Sequence, residues 1–324
     1  MKNLFFAAAV AALVCAGCAK EEIPAGPQDL TVRFSTEIAS VTRSAPNGNE
    51  NFANGDKFRV TATQALGDAA ATSWMDNLLL TKSAEGTWSA GDSYLFMEGY
   101  KYDFAAYSPT ETVLTMSDPT AVPYTVSATL ADQRDLLYAV ASKDFTVEGT
   151  TATVDFTFNH ALSQVKFTAK TSKDYSAYYT VTISNVTLKG LNSIGNLNFK
   201  DGKWASLATA LDYAVTYNKT LTATETEMTT ATSDVLMLIP QNPQGSDKLE
   251  VTFNIAAVAN YGDTNLEGTK TIKLTLPSTE WQSGYVYTYQ ITLNLDEALG
   301  WTVPALGDPT IKPWQKGDDI PVNN

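Results

Sequence analysis

Cysteine and histidine are scarce in this chain of 324 residues, which contains two cysteines and one histidine. Both cysteines, Cys15 and Cys18, lie close to the N-terminus. The rest of the chain therefore has no disulfide and depends on packing for its stability. Zinc sites need several cysteine or histidine ligands, and Ser-His-Asp or Cys-His catalysis needs a histidine with suitable partners. The composition argues against all three kinds of site.

Basic residues are also few, with 22 lysines and arginines against 35 aspartates and glutamates and a net charge of −13. So acidic a protein repels nucleic acid and anionic lipid headgroups, and we expect no nucleic-acid partner. The sequence shows no phosphate-binding loop and no dinucleotide fingerprint. These features together predict no cofactor, no metal site and no catalytic residues.

The single histidine and the carboxylates are the remaining candidates for catalysis. His160 lies beside Phe158 and Leu162, which favours a half-buried packing residue with one satisfied nitrogen. A glycosidase needs two converging carboxylates. The spacing of the acidic residues in the first half gives no such convergence, and we interpret them as solvated: Asp76, Glu85, Asp92, Glu98 and Asp103. We therefore predict that the protein is not an enzyme.

The N-terminus carries an export signal. Lys2 is followed by an apolar run over residues 4–17, which ends at Cys18. This run is shorter than the roughly 20 residues that span a bilayer, so residues 1–17 are predicted to be a secretory signal peptide. The Ala-Gly-Cys ending resembles a bacterial lipobox, which implies cleavage before Cys18 and diacylglycerol on its thiol. The alternative is an ordinary signal peptide with an incidental cysteine.

The residues after Cys18 indicate the cellular location of the exported protein. Residues 19–22, Ala-Lys-Glu-Glu, resemble the signal that sends some lipoproteins to the outer face of the outer membrane. The alternative is a solvated linker. Pro24, Gly26 and Pro27 follow and suit a tether. We expect a surface-exposed lipoprotein held in the outer membrane by its lipid anchor. Its mature chain has 21 basic and 35 acidic residues, because removal of the signal takes away Lys2.

Strict alternation of apolar and polar residues predicts strands along most of the mature chain. In residues 285–295 every odd position is apolar or aromatic, which is typical of a long strand with one buried face. Val165 and Phe167 continue the pattern of Phe158 on the opposite parity, so a bend is predicted near Asn159-His160. The same alternation occurs at residues 30–38, 154–158, 249–255 and 272–276.

Helical signals are weak. Residues 132–141 allow a short helix, but residues 136–140 are better explained as a buried strand because turn residues flank them closely. The apolar run 235–239 is predicted to be a strand buried on both faces and ended by Pro240. Short strands with regular turns predict an all-β, antiparallel sandwich. About 300 mature residues suggest two of them, at 28–156 and 157–324.

Five segments in order resemble fimbrillin-type subunits, the pilins of type V pili. They are an aromatic-x-x-Gly-Asp turn, a Phe-x-His segment, a Leu-Ile-Pro stretch, a Trp-x-x-Gly-x-x-Tyr segment and a closing Ile-x-Pro-Trp-x-x-Gly. In this sequence they occupy residues 52–60, 156–167, 238–241, 281–287 and 311–317. The resemblance implies two tandem transthyretin-like antiparallel β-sandwich domains. It also implies a structural or adhesive subunit of a surface fimbria, with other pilus subunits as partners in a homo- or hetero-polymer.

The resemblance further implies maturation by an Arg-specific protease. The matching site is between Arg43 and Ser44, in a segment that precedes the loop 46–49. An exposed loop is where a protease can bind an extended substrate. The alternative is that Arg43 merely lies in a linker. Cleavage would make residues 18–43 a lipidated linker with a removable first strand.

Removal of that strand would leave a groove. Four of its side chains are predicted to be buried in the sandwich: Leu30, Val32, Phe34 and Ile38. Burial of an apolar side chain contributes roughly 1.5–3 kcal/mol, so four contribute about 6–12 kcal/mol, comparable to the stability of a whole domain. Unpaired backbone groups would also line the groove. We expect a strand from the next subunit to fill it by β-augmentation.

The C-terminus fits a donor strand less well. The residues after Leu295 contain four prolines, and proline cannot donate to a β-ladder. The possible anchors of an edge strand in this segment are Val303, Leu306, Ile311 and Trp314. The segment is therefore either a donor or a closing strand of its own domain, and the subunit's place as stalk, tip or anchor stays open.

A second interpretation of the sequence is a stand-alone surface lipoprotein that binds glycans. Exposed aromatic residues could stack on sugars, although tryptophan more often packs in a core or interface. The candidates are Trp74, Trp88, Trp204 and Trp301. Under either interpretation a receptor on a host or bacterial surface is a possible partner.

Overall fold

A computed structural model describes most of the chain. The described residues are 29–39, 52–147, 149–224, 226–227, 235–242, 250–261, 266–275, 280–295, 305–306 and 309–313. Within these ranges the regular structure is β-strand apart from one 3₁₀ turn at Leu130–Asp132. No helix in the described ranges is long and apolar enough to cross a membrane. The predicted all-β fold is confirmed.

The first half forms one large sheet. Its strands are β1 (Arg33–Ile38), β2 (Lys57–Leu66), β3 (Thr72–Lys82), β4 (Trp88–Ser89), β5 (Tyr100–Ser108), β6 (Val122–Thr125), β7 (Leu137–Asp144) and β8 (Thr153–His160). All except β6 pair in the order β1-β8-β7-β5-β2-β3-β4. The sheet folds over on itself, because Phe34 on β1 contacts Phe58 on β2 and Phe104 on β5. The strand predicted at residues 136–140 is confirmed by β7.

The second half forms two further sheets. Its strands are β9 (Ser163–Thr171), β10 (Tyr179–Leu197), β11 (Trp204–Leu221), β12 (Thr226–Glu227), β13 (Leu236–Leu238), β14 (Glu250–Ala259), β15 (Leu266–Thr275), β16 (Tyr285–Leu293), β17 (Ala305–Leu306) and β18 (Thr310–Pro313). One sheet has the order β11-β10-β14-β15, with β6 paired to β10. The other has the order β12-β9-β16-β17, with β13 paired to β9 and β18 to β16.

The alternating pattern places most side chains as predicted, although Val286, on the opposite face of the strand predicted at residues 285–295, is buried as well. On β16, Tyr287, Tyr289 and Ile291 are all buried, because successive side chains of a strand point to opposite faces. On β8 the same rule buries Val154, Phe156 and Phe158. The apolar run 235–239 is buried throughout and contains β13, which confirms the strand predicted there.

Two strand pairs correct the sequence prediction. The sheets were expected to be antiparallel, but β1 pairs with β8 in parallel, from Arg33–Thr153 to Ile38–Phe158. β9 and β16 are also parallel. The prediction of purely antiparallel sandwiches is therefore wrong at these two pairs. Alternation reports which face of a strand is buried but not its direction, and parallel partners need long connections that local patterns do not reveal.

The two halves are joined through β6 and through the hairpin of β10 and β11. The predicted boundary between the two sandwiches, at residue 156, lies within β8. This strand belongs to the first sheet and continues to His160. The predicted bend lies at Ala161-Leu162, between β8 and β9. The indole nitrogen of Trp204 at the start of β11 donates to the Ala161 carbonyl at 2.8 Å. The first half has an aromatic core, and the second core extends into the first half through residues of β5, β6 and β7.

Candidate functional site

β1 lies in a slot between two parts of the first half. On one side it pairs along its whole length with β8. On the other side, just before β1, the Val32 amide donates to the Tyr94 carbonyl and the Phe96 amide donates to the Leu30 carbonyl, both at 2.9 Å. The chain is thus bonded on one edge to residues 94–96 through Leu30 and Val32, and on the other edge to β8 from Arg33 onward. We call this position the β1 slot.

Phe34 anchors β1 in the slot. Its ring is stacked on Phe156, with centroids 6.0 Å apart and planes within 7°. It also meets Phe58 and Phe104 edge-on at 6.1 and 6.4 Å. Offset and edge-on aromatic contacts contribute beyond the area they bury. Phe34 is therefore the side chain of β1 with the most extensive aromatic contacts among those described.

The other three predicted strand residues occupy the same face. Leu30, Val32 and Ile38 are partly buried and pack against the aromatic core of the first half. Each is less buried than the sequence predicted, and the same holds for Phe34. The hydrophobic contribution of the four is correspondingly somewhat smaller than the about 6–12 kcal/mol of full burial.

Polar groups on β1 reinforce its register with β8. The Ser35 hydroxyl donates to Asp155 Oδ1 at 2.5 Å, and the Thr157 hydroxyl donates to Glu37 Oε1 at 2.7 Å. The indole nitrogen of Trp88 on β4 donates to the Thr36 hydroxyl at 3.2 Å. These side-chain bonds join β1 to both neighbours and fix which residue faces which.

The segment before β1 has its own local order. The Thr31 amide donates to Asp29 Oδ1 at 2.9 Å, and Arg33 forms an ion pair with the same carboxylate. Hydrogen bonds from Thr31, assisted by the charge of Arg33, hold the pKa of Asp29 below its ordinary value. Because both side chains are exposed, this pair contributes little to stability.

β8 depends on β1 for most of its pairing. Among the described pairs, β7 and β8 meet only at Leu137–His160 and Tyr138–Asn159. Loss of β1 would therefore leave the edge of β8 open from Thr153 to Phe158 and leave a gap where the Phe34 ring stood. Open strand edges readily accept another strand. The slot has the chemistry of a strand-binding groove.

The C-terminal segment lies on the edge of its own half. β17 and β18 both pair antiparallel with β16, where Leu306 faces Ile291 and Ile311 faces Tyr287. The Ile311 side chain is 47% exposed, so it does not anchor the strand in the core. Of the four possible anchors, Val303 and Trp314 lie outside the described residues.

The predicted processing residues also lie outside the described part of the chain. These are Cys18, Arg43 and Ser44. The last described residue after β1 is Ala39, whose amide donates to the Phe158 carbonyl at 2.7 Å. The chain continues from there toward Arg43, four residues further on.

His160 has a structural setting. It is buried, and its Nδ1 lies 2.7 Å from Oδ2 of the buried Asp135. Ser163 instead donates its hydroxyl to the Gln282 carbonyl. The predicted half-buried histidine is thus more deeply buried than expected, at the junction of β8 and β9. Among the described residues, no group of three histidine, cysteine or acidic side chains is placed to hold a metal ion.

The tryptophans proposed for sugar stacking are not free surface rings. Trp74 and Trp88 are partly buried and contact aromatic neighbours such as Tyr102 and Phe58, at 4.5 Å between centroids in each case. Trp204 is held by its bond to Ala161, and Trp301 lies outside the described residues. The predicted exposure is wrong for these first three, because each ring fills a gap between strands.

A cleft of about 470 Å³ opens beside β6. The polar groups lining it include Glu111, Tyr124, Asp132 and Arg134. Burial, assisted by the charge of Asp135, raises the pKa of the Tyr124 hydroxyl. No histidine is among the residues that line the cleft. His160, the single histidine of the chain, is bonded to Asp135 instead. The cleft offers hydrogen-bonding groups but no nucleophile with a histidine base.

Sequence reasoning missed the Tyr94–Phe96 side of the slot and the parallel direction of β1. A signal for the first was present, because Tyr94, Leu95 and Phe96 together form a short β-prone run after a turn. Nothing in the local pattern identified residues 30–32 as its partner. That pairing joins segments more than 60 residues apart.

The β1 slot belongs to an all-β fold that several solved structures share. The fold is similar to a fimbrial protein from Bacteroides vulgatus, with a TM-score of 0.62 and 17% identity over 87% of this chain and 99% of that one. It is also similar to candidate cell adhesion proteins from Bacteroides ovatus and Bacteroides uniformis. Their TM-scores are 0.55 and 0.53, with 18% and 19% identity.

The coverage of these two is 87% and 89% of this chain and 97% and 100% of theirs. At such identities the similarity concerns the fold alone. The family model described as fimbrillin-like matches residues 42–314. The chain therefore belongs to the fimbrillin-like family. No curated protein matches it in sequence.

Proposed function

We propose that this protein is a structural and adhesive subunit of a type V pilus on the cell surface. Membership of the fimbrillin-like family supports this, together with the β1 slot. Its partners would be other pilus subunits, in a homo- or hetero-polymer, and a receptor on a host or bacterial surface. Each half would correspond to a transthyretin-like sandwich.

Export would precede assembly. The signal peptide would be removed before Cys18, and the lipid on its thiol would hold the chain at the outer face of the outer membrane. More than one acyl chain is needed for stable anchoring, which a lipidated cysteine supplies. An Arg-specific protease would then cut between Arg43 and Ser44, which lie after β1 in the chain.

Assembly would proceed by strand exchange. The observation that carries this proposal is the dependence of β8 on β1: apart from two pairs with β7, its described pairing is to this one strand. A chain that lacks β1 has an open edge next to an aromatic gap. An extended strand with a large apolar side chain in place of Phe34 would restore both the backbone bonds and the ring contacts.

The test compares cleaved and uncleaved protein. We expect mature protein treated with an Arg-specific protease to form multimers in light scattering and fibres in negative-stain images. The variant Arg43→Ala should stay monomeric under the same treatment. If mass spectrometry shows cleavage after Arg43 and the product still remains monomeric, self-polymerisation by this route is wrong, and a hetero-polymer must be tested with added pilus subunits.

A further inference from the structure

Four large apolar side chains are exposed together at one end of the first sheet. Hydrogen bonds connect their turns: the Gly67 amide donates to the Gly99 carbonyl at 3.2 Å, and the Gly99 amide donates to the Phe145 carbonyl at 2.9 Å. We name these four residues the end cluster. Its members, with their exposed fractions, are Leu66 (55%), Leu95 (61%), Met97 (42%) and Val147 (60%).

Buried aromatic residues hold these turns in place. Phe96, between two members of the cluster, stacks on Phe145 with centroids 4.4 Å apart. The Met97 amide donates to the Tyr102 hydroxyl at 3.0 Å. The exposed apolar side chains therefore project from anchored turns. A set of exposed apolar residues in one place indicates an interaction surface.

The chain reaches β1 at this same end. Thr31 forms an isolated bridge with Leu95, and Arg33 at the start of β1 pairs with Thr153 at the start of β8. Ten residues separate Cys18 from Asp29, so even a fully extended chain at about 3.3–3.6 Å per residue spans no more than about 40 Å. A lipid on Cys18 would keep the end cluster close to the bilayer.

We propose that the end cluster lies against the lipid surface to which Cys18 anchors the uncleaved chain. This inference rests on the lipidation in the proposed function. The short tether raises the local concentration of the cluster at the bilayer, so weak insertion of a few apolar side chains is sufficient for contact. Cleavage after Arg43 would remove the tether and release this contact together with β1.

The charges at this end select the type of lipid surface. Asp68 and Glu98 are exposed on the same turns as the cluster, whereas the basic residues Arg33 and Lys101 at this end are matched by Asp29 and Asp144. Carboxylates are repelled by the negative potential of an anionic leaflet. The cluster should therefore contact a surface of zwitterionic headgroups, and phosphatidylcholine vesicles are the appropriate probe.

The experiment uses a single reporter cysteine, because the mature chain contains no cysteine other than the lipidated Cys18. Lipidated Leu66→Cys protein carries an environment-sensitive dye and is reconstituted in phosphatidylcholine vesicles that contain nitroxide-labelled lipid. Val113→Cys is the matched control. Its side chain is 56% exposed, and it follows the opposite end of β5, a strand about 27 Å long. Val147→Cys gives a second reporter in the cluster.

We expect the nitroxide lipid to quench the dyes at Leu66 and Val147 at least threefold more than the dye at Val113. Protease treatment at Arg43 should abolish the difference. Equal quenching at all three positions on protein that floats with the vesicles would overturn the inference alone. Failure of the protein to float would overturn the lipidation as well. A concentration-dependent shift of the Leu66 dye in detergent, without vesicles, would show that a second copy covers the cluster instead.

Discussion

Phe34 shows how one side chain ties a strand to the rest of its sheet. Its ring contacts aromatic residues on β2, β5 and β8, three strands that are distant from it in sequence. Gly202 also brings distant elements together, at the β10–β11 hairpin. There the chain approaches Tyr138 on β7 so closely that a Cβ on residue 202 would lie 2.2 Å from the Tyr138 hydroxyl oxygen. Single residues thus decide where distant elements meet.

We predict that Gly202→Ala destabilises the protein by more than the backbone cost alone. Gly202 has φ of +70°, which costs a non-glycine residue about 1–2 kcal/mol, and the clash with buried Tyr138 adds to it. The measurement is the free energy of unfolding in urea. Gly86→Ala is the matched control, since Gly86 has φ of +80° and open space around it. The double variant Gly202→Ala/Tyr138→Phe should recover part of the loss. Equal effects of Gly202→Ala and Gly86→Ala would contradict the steric argument.

Alkaline pH should weaken the fold through buried tyrosines. Burial raises the pKa of Tyr213 to about 12, from an ordinary value near 10. Its contribution is fully present below about pH 10 and is lost as the pH rises toward 12, because only the unfolded state releases the proton in that window. Each such tyrosine steepens the decrease of the unfolding free energy with pH by up to about 1.4 kcal/mol per pH unit.

Tyr213→Phe should therefore reduce the fall in unfolding free energy between pH 10 and 12, without abolishing it, since burial also raises the pKa of other tyrosines such as Tyr107 and Tyr138. Urea titrations at stepped pH measure the slope. Tyr178→Phe, at a side chain that is 71% exposed, is the control for loss of a tyrosine hydroxyl outside the core. An unchanged slope in Tyr213→Phe would show that this residue does not carry the effect.

At the scale of elements, β1 and the C-terminal strands differ in how they are held. β1 is paired over six residues and anchored by Phe34 in an aromatic core. β17 and β18 are short segments on the edge of β16, and about half of Ile311 is exposed. Within the described chain, the C-terminal segment therefore pairs with a strand of its own half, and this arrangement is compatible with a closing strand.

We predict that a chain beginning at Ser44 binds a synthetic peptide of residues 29–39, because the peptide restores the pairing of β8 and the contacts of Phe34. The same peptide with Phe34→Ala should bind at least tenfold more weakly. Loss of a partly buried phenylalanine costs about 1.5–3 kcal/mol, and 1.4 kcal/mol is tenfold in affinity. Fluorescence anisotropy of the labelled peptides gives the dissociation constant of each. Equal binding of the two peptides would show that Phe34 is not the anchor.

At the scale of the whole molecule, charge governs encounters between copies. Cleavage after Arg43 would remove four basic and four acidic residues, so the cleaved chain would keep the net charge of −13 of the full sequence. Copies of such a protein repel one another over a distance set by the Debye length, about 30 Å at 0.01 M salt and 8 Å at 0.15 M.

Assembly of the cleaved protein should therefore be severalfold faster at 150 mM than at 10 mM sodium chloride. Light scattering over time measures the rate, and uncleaved Arg43→Ala should show no growth at either salt concentration. Slower assembly at the higher salt would indicate that attractive ion pairs at the interface outweigh the overall repulsion.

Local sequence patterns were enough to predict that the chain is all-β and which faces of its strands are buried. Alternation at residues 285–295 and 154–158 was sufficient, because side chains of a strand take opposite sides whatever the strand pairs with. The three-dimensional fold was needed to establish that β1 runs parallel to β8, that residues 94–96 border the start of this segment, and that the C-terminal strands lie on β16. Those pairings join segments far apart in the chain, and their direction depends on the path of the connections between them.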